Sequence, residues 1–255
     1  MEERRKTIVV ASMKKEDTSW LSKRLLDWDK KIYIVDDPSA ELTVPLNKGH
    51  EAMVYLTYII DHYDSLPPYM VFIHAQRYQW HNDDPVYDLH YPLLHLQLPH
   101  VEEHGYANLR CTWLLGCPAE IYPKKQASLH PYRSYNLDGN ITSYEAYLHA
   151  FRELFPGKKE PDEIGVSCCA QFAVTKEKVR ERKRAEYERY RNWLLETPLP
   201  DDVSGRILEY SWHMIFGKPP VYCPNAPECY CKMYGLCGLN CPTERSCVGR
   251  YNLPT

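Results

Sequence analysis

The chain has 255 residues, 44% of them apolar, and a formal charge of −3 at pH 7. That length gives one domain or at most two, with room for a sizeable core. The charge excludes a uniformly basic nucleic-acid binder and leaves only a local patch for such a partner. No stretch approaches the roughly 20 apolar residues of a membrane span.

Met1–Lys6 is charged and the apolar run Ile8–Ala11 is too short for a signal peptide. A soluble cytoplasmic protein is expected. Its ten cysteines should then be thiols or metal ligands rather than disulfides. Thr7–Val10 is β-branched and reads as a buried strand. Thr18 or Ser19 can cap a helix through Trp20, Leu21, Leu25 and Leu26, and Lys31–Val35 is the next strand. Strand, helix and strand in this order imply a parallel βαβ unit. Asp36 and Asp37, before Pro38, can hold a metal or form a solvated turn.

Asn47–Asp84 has the densest polar chemistry. Ala52, Tyr55, Leu56, Ile59 and Ile60 repeat at helical spacing, and Leu66-Pro67-Pro68 ends the helix. Tyr69–Ile73 is a third strand, followed by a polar loop from His74 to Asp88. Open α/β sheets place their sites where such strands end, so Asn47–Asp84 is the expected active-site rim. Tyr106–Leu115 reads as a strand, Pro118–Thr142 as a long loop, Ser143–Phe155 as an amphipathic helix, and Gly165–Val174 as the last core strand. Lys176–Glu196 reads as one regular helix whose eight cations and five anions leave an excess of +3. It is either a solvated face with internal ion pairs or a strip for a phosphate backbone. Asp201–Phe216 reads as another helix, with Glu209 and His213 four apart on one face.

Cys223, Cys229, Cys231, Cys237, Cys241 and Cys247 crowd the end of the chain in the spacing C-x5-C-x-C-x5-C-x3-C-x5-C. It lacks a C-x2-C pair, so it fits no common zinc motif closely. A structural metal, disulfides and free thiols compete, with a structural role favoured over catalysis. The expected organisation is one α/β catalytic domain over 1–222 and a cysteine-rich extension over 223–255. There is no GxSxG, P-loop, GxGxxG or HExxH.

The motifs NKGHEAMVYLTYIIDHYDSLPPYMVFIHAQRYQWHND, GYANLRCTWLLGC, CCAQFAVTKEKVR and SGRILEYSWHMIFG, followed by CPNAPECYC, cover nearly the whole chain. They resemble a fungal family long described as a domain of unknown function that includes the arginine-containing cyclodipeptide synthases. The resemblance implies a tRNA-dependent aminoacyltransferase that joins an arginyl group to a second aminoacyl group as a cyclo-Arg-Xaa diketopiperazine. Its partners would be arginyl-tRNA and a second aminoacyl-tRNA, and no cofactor would be required. The expected fold is α/β, a mostly parallel sheet flanked by helices, glycosyltransferase-A-like or Rossmann-like.

The residues assigned on this reading are His74, His81, Asp83 and Asp84 for proton transfer. Asn47, Glu51, Arg77, Trp80, Glu120 and Glu209 are assigned to substrate, since an arginyl group needs carboxylates for bidentate pairing. Lys176, Lys178, Arg180, Arg182, Lys183 and Arg184 are assigned to tRNA, and no residue to a catalytic metal. The alternatives are a glycosyltransferase-like enzyme using a nucleotide-sugar, with strand-end acids holding a metal, and a non-catalytic binding protein.

Overall fold

The computed structural model describes residues 5–129, 141–251 and 253. The charged start Met1–Lys6 and the expected loop Pro118–Thr142 fall partly outside these residues.

The chain opens with β1 (Lys6–Ser12), α1 (Ser19–Arg24) and β2 (Asp29–Ile34). It continues through α2 (Glu51–Asp61), β3 (Tyr69–His74), α3 (His90–His95), α4 (Leu98–His104) and β4 (Tyr106–Asn108). Next come α5 (Pro123–Leu129), α6 (Ser143–Leu154), β5 (Gly165–Val166), β6 (Phe172–Thr175) and α7 (Lys176–Arg180). The last elements are α8 (Arg184–Glu196), α9 (Asp201–Glu209), α10 (Trp212–Ile215), β7 (Val221–Tyr222) and α11 (Ala226–Tyr234).

The pleat of the strands divides the apolar residues into two cores. Val9, Met70 and Phe72 face one side, where α2, α6, α8, α9 and α10 pack. Ile8, Val10, Val71 and Ile73 face the other, against Trp20 and Leu21 of α1 and Tyr230 and Met233 of α11. Every residue of α2 from Ala52 to Ile60 is buried, so this helix is an inner layer and its N-terminus is held in place from all sides. Burying side chains such as Leu56, Ile59 and Ile60 stabilises by about 1.5–3 kcal/mol each.

The main sheet has the order β2-β1-β3-β6-β4. The β1–β2 and β1–β3 pairings are parallel, and the β3–β6 and β4–β6 pairings are antiparallel. The sheet is therefore mixed, which overturns the mostly parallel, Rossmann-like or glycosyltransferase-A-like expectation. The reversal has a local cause. Cys169 and Ala170 adopt φ of 89° and 48°, a left-handed turn inside what reads as one apolar strand. The chain doubles back there, β5 pairs with β7 in a separate two-stranded sheet, and β6 enters the main sheet in the opposite direction.

Other elements are shorter than their patterns suggest. The strand expected through Leu115 stops at Asn108, because Asp83 takes the backbone N–H of Cys111 and Thr112. The long cationic helix breaks after Arg180, and α8 starts where Glu186 accepts from the Lys183 backbone N–H. The helix carrying Glu209 ends there, and Ser211 starts α10, so Glu209 and His213 do not share a helical face.

All ten cysteines are paired: Cys111–Cys229, Cys117–Cys223, Cys168–Cys169, Cys231–Cys237 and Cys241–Cys247. Cysteines bind a metal as thiolates, and none remains free, so the structural metal considered for the C-terminal cysteines is ruled out there. Two of the bridges tie the C-terminal segment to residues 106 and 118 positions earlier. Such a framework belongs to an oxidising setting, secreted or lumenal, which corrects the cytoplasmic expectation. No described helix is long and apolar enough to cross a membrane.

Candidate acid–base site

The N-terminus of α2, the C-terminal end of β3 and one face of α9 converge on a cavity of about 250 Å³. It is lined by His50 and Glu51 before and at the start of α2, His74 at the end of β3, and Trp80 and His81 beyond it. Asp202, Gly205, Arg206 and Glu209 of α9 and the Cys168–Cys169 disulfide complete the wall.

Close backbone approach builds this corner. Gly49 has φ of 71°, and a Cβ there would lie 2.5 Å from Leu194 Cδ1. A Cβ on Gly205 would lie 2.5 Å from His50 Cδ2. Glycine at 49 lets the chain entering α2 pass close to α8, and glycine at 205 lets α9 approach His50 beside Glu51. Asp201 accepts from the Gly49 N–H and stands 3.6 Å from His50 Nδ1, which fixes the entry into α2.

His74 Nε2 lies 3.7 Å from Glu51 Oε2, with the two side chains 18% and 14% exposed. The distance would fit an ion pair, but the electrostatics do not. Burial, reinforced by the Glu209 carboxylate, pushes Glu51 up to about 8. Burial, with His81 and His50 nearby, pulls His74 down to about 3. At neutral pH both partners are therefore mainly uncharged, and His74 Nε2 has no hydrogen-bond partner among the described residues. His81 is pulled down to about 4 by burial and by the Arg110 and Arg206 guanidinium groups.

Glu209 accepts from the Cys169 N–H at 2.6 Å and lies 3.4 Å from Arg206 Nε. Burial raises its pKa as well. Arg110 holds the far side of the wall, donating to the His81 carbonyl at 3.2 Å and to Cys169 Sγ at 3.3 Å, with its guanidinium 4.0 Å from the Tyr251 ring centre. Behind His74, its N–H donates to Gln171 Oε1, and Gln171 Nε2 donates to Asn82 Oδ1. The cavity thus offers two buried carboxyl groups, two neutral imidazoles and one cation. A carboxyl group that titrates near neutrality can give or take a proton during a reaction.

A family profile described as "Protein of unknown function (DUF3431)" matches residues 8–232. The chain belongs to this family. No curated protein matches the chain, and no solved structure does. The DUF3431 match contains every residue that lines the cavity.

Within this DUF3431 region the structure separates the residues assigned from sequence. Glu51, His74, Trp80, His81 and Glu209 meet at the cavity. Asp83 does not: it is buried and accepts from the N–H groups of Cys111 and Thr112 and from the Tyr230 hydroxyl. Asp84 caps its own loop through the N–H groups of Val86 and Asp88 and lies 3.9 Å from Arg250. Arg77 forms a two-point pair with Asp88 at 2.8 and 2.6 Å, and Asn47 is exposed. Glu120 accepts from the hydroxyls of Tyr144 and Tyr210 and is not among the residues lining the cavity. Asp36 and Asp37 are taken up by the turn, through Lys14 and Ser39.

Five of the six cations assigned to tRNA are engaged internally. Lys178 pairs with Glu181, Arg184 with Glu188, and Lys176 lies 3.7 Å from Glu177. Arg180 donates to the carbonyls of Tyr63 and Asp64, and Arg182 to those of Met214 and Ile215 and to Glu186. Lys183 differs: only its backbone N–H is engaged, donating to Glu186 at the start of α8.

Sequence reasoning left Arg206, Asp202 and the adjacent cysteines out of the site, and placed His50 in the expected rim without a role. Arg206 stands three residues before Glu209 on α9, so the helical period could have placed it there. The adjacent cysteines carry a signal only once they are known to be oxidised.

Proposed function

We propose that this cavity is the active centre of an acyl-transfer enzyme for a substrate with an arginine-like cationic group. What supports the reading is one arrangement: Glu51 and Glu209 face the same small cavity beside a neutral histidine. Two carboxyl groups withdrawn from water are costly unless a cation joins them. A guanidinium pairs with carboxylates in a two-point geometry, and Glu209 is the group placed to receive it. The arriving positive charge lowers the proton affinity of Glu51, so substrate binding converts a protonated acid into a working base.

The transfer then follows from proton bookkeeping. The amine nitrogen of one aminoacyl group attacks the ester carbonyl carbon of the other. The new C–N bond forms as the C–O bond breaks, and the amine proton passes to the Glu51 carboxylate and from it to the departing oxygen, which leaves as the alcohol. A second attack within the dipeptide closes a cyclo-Arg-Xaa ring. His74 stands 3.7 Å from the Glu51 carboxyl without a hydrogen bond to it, and Trp80 and His81 wall the cavity. This assigns proton transfer to Glu51 rather than to His74 or to the occupied Asp83 and Asp84.

On this reading the ester donor is arginyl-tRNA. Charged tRNA is used in reducing compartments, whereas the five bridges belong to an oxidising one. The assay must therefore be run on oxidised and on reduced protein. Arginyl-tRNA and a second aminoacyl-tRNA are incubated with the protein, and cyclic dipeptide is measured by mass. Product that disappears with Glu51→Gln and after RNase treatment supports the reading. No product in either redox state, from folded protein, overturns it.

A further inference from the structure

The groove between α4 and α11 is separate from the acid–base site. There α4 carries His100, Glu103 and His104, the order His-x-x-Glu-His. Residues three and four apart on a helix lie on one face. Here the ligand atoms of all three lie within 4.8 Å of one another. The two imidazole rings are 4.3 Å apart, tilted by 52°. This order of residues is one in which zinc enzymes place ligands on a single helix.

The surroundings add two further observations. His100 Nδ1 is buried and has no hydrogen-bond partner among the described residues. An unpartnered buried polar atom is unfavourable, and a ligand would relieve it. Both histidines also line a cavity of about 160 Å³ with Asn108, Tyr222, Asn225 and Glu228. Glu228 is paired with Lys232 at 2.6 Å. The cavity leaves room for water or a small anion to complete a coordination sphere.

We propose that His100, His104 and Glu103 form a site for a divalent transition metal of the zinc class. Two imidazoles and one carboxylate are a donor set that zinc accepts, with the fourth position open to the cavity. Calcium and magnesium prefer all-oxygen ligands and are disfavoured by the two nitrogens. The site uses none of the ten cysteines, so it is compatible with the five disulfides. It lies outside the acid–base cavity, and its occupancy is independent of the acyl-transfer reading.

The test uses the untagged, oxidised full chain, stripped with a chelator and titrated with zinc by calorimetry. Cobalt(II) serves as a coloured stand-in read by visible absorption. One equivalent of zinc should bind. His100→Gln and His104→Gln should each weaken binding by more than about tenfold, since even the supporting residues of a metal site cost that much. His90→Gln should leave binding unchanged. Thermal melts of the metal-free variants show that they remain folded. Absence of zinc binding by folded wild-type protein overturns the proposal. So does equal affinity in folded His100→Gln and His104→Gln variants.

Discussion

Glu51→Gln tests the electrostatics of the cavity without needing a substrate. Glutamine keeps the shape of a protonated glutamate but cannot ionise. In the native state Glu51 is pushed from 4.5 up to about 8 by burial and by Glu209. The folded protein therefore holds this proton more tightly than the unfolded chain does. Stability from this group is fully present below pH 4.5 and is lost as pH rises towards 8. Each pH unit in that window costs about 1.4 kcal/mol, so the wild type should lose on the order of 3–5 kcal/mol by pH 9. Glu51→Gln should be spared that loss and also remove a like charge beside Glu209. His74 and His81 are held down to about 3 and about 4, so their contribution is lost as pH falls below 6.5. Both proteins share these histidines, and the difference between them isolates Glu51. Urea unfolding of the two oxidised proteins at pH 5, 7 and 9 measures it. The stabilities should nearly match at pH 5, with the variant ahead by several kcal/mol at pH 9. A constant difference across the range would refute a raised Glu51.

Asp83→Ala should cost on the order of 3–5 kcal/mol in urea unfolding, because it leaves two buried N–H groups and the Tyr230 hydroxyl without their acceptor. A loss below about 1 kcal/mol would show that these donors find other partners. Replacing Cys111 and Cys229 by serine should lower stability by about 3 kcal/mol on the loop-entropy estimate, since the nested Cys117–Cys223 bridge leaves only a short loop for it to close. An unchanged urea midpoint would count against that bridge. Arg182→Ala should cost about 1–3 kcal/mol of stability, because it strips the carbonyls of Met214 and Ile215 of their donor. It should leave the salt dependence of RNA binding unchanged. A fall of about one in that slope would instead make Arg182 a phosphate contact.

The legible parts of the sequence were those whose signal is local. The β-branched runs of β1 and β3 and the helical period of α2 report burial directly, and a polar rim beside a buried strand marks where a site can form. Four cavity residues, Glu51, His74, Trp80 and His81, lie in that rim, while Glu209 was named as a carboxylate that an arginyl group would need. The direction of β6 was not legible, because two residues with positive φ reverse the chain inside an apolar run. The role of Asp83 was hidden for the same reason: its donors come from residues 28 to 147 positions away. The cysteines misled through the compartment. Reading them as thiols required assuming a reducing environment, and the pairing depends on distances that spacing does not contain. The cationic stretch read as either a solvated face with internal ion pairs or a phosphate strip, and its charges pair with nearby acids or hold carbonyls of neighbouring segments.

The central claim is that Glu51 and Glu209 bind an arginine-like cation and that binding releases the Glu51 proton. Calorimetric titration of arginine methyl ester and citrulline methyl ester at pH 7, in two buffers of different ionisation enthalpy, tests it most directly. The arginine ester should bind at least about tenfold more tightly, about 1.4 kcal/mol, because citrulline keeps the shape but lacks the charge. Its binding should release a proton in the wild type and none in Glu51→Gln. Equal binding of the two esters, or no proton release by the wild type, would contradict it.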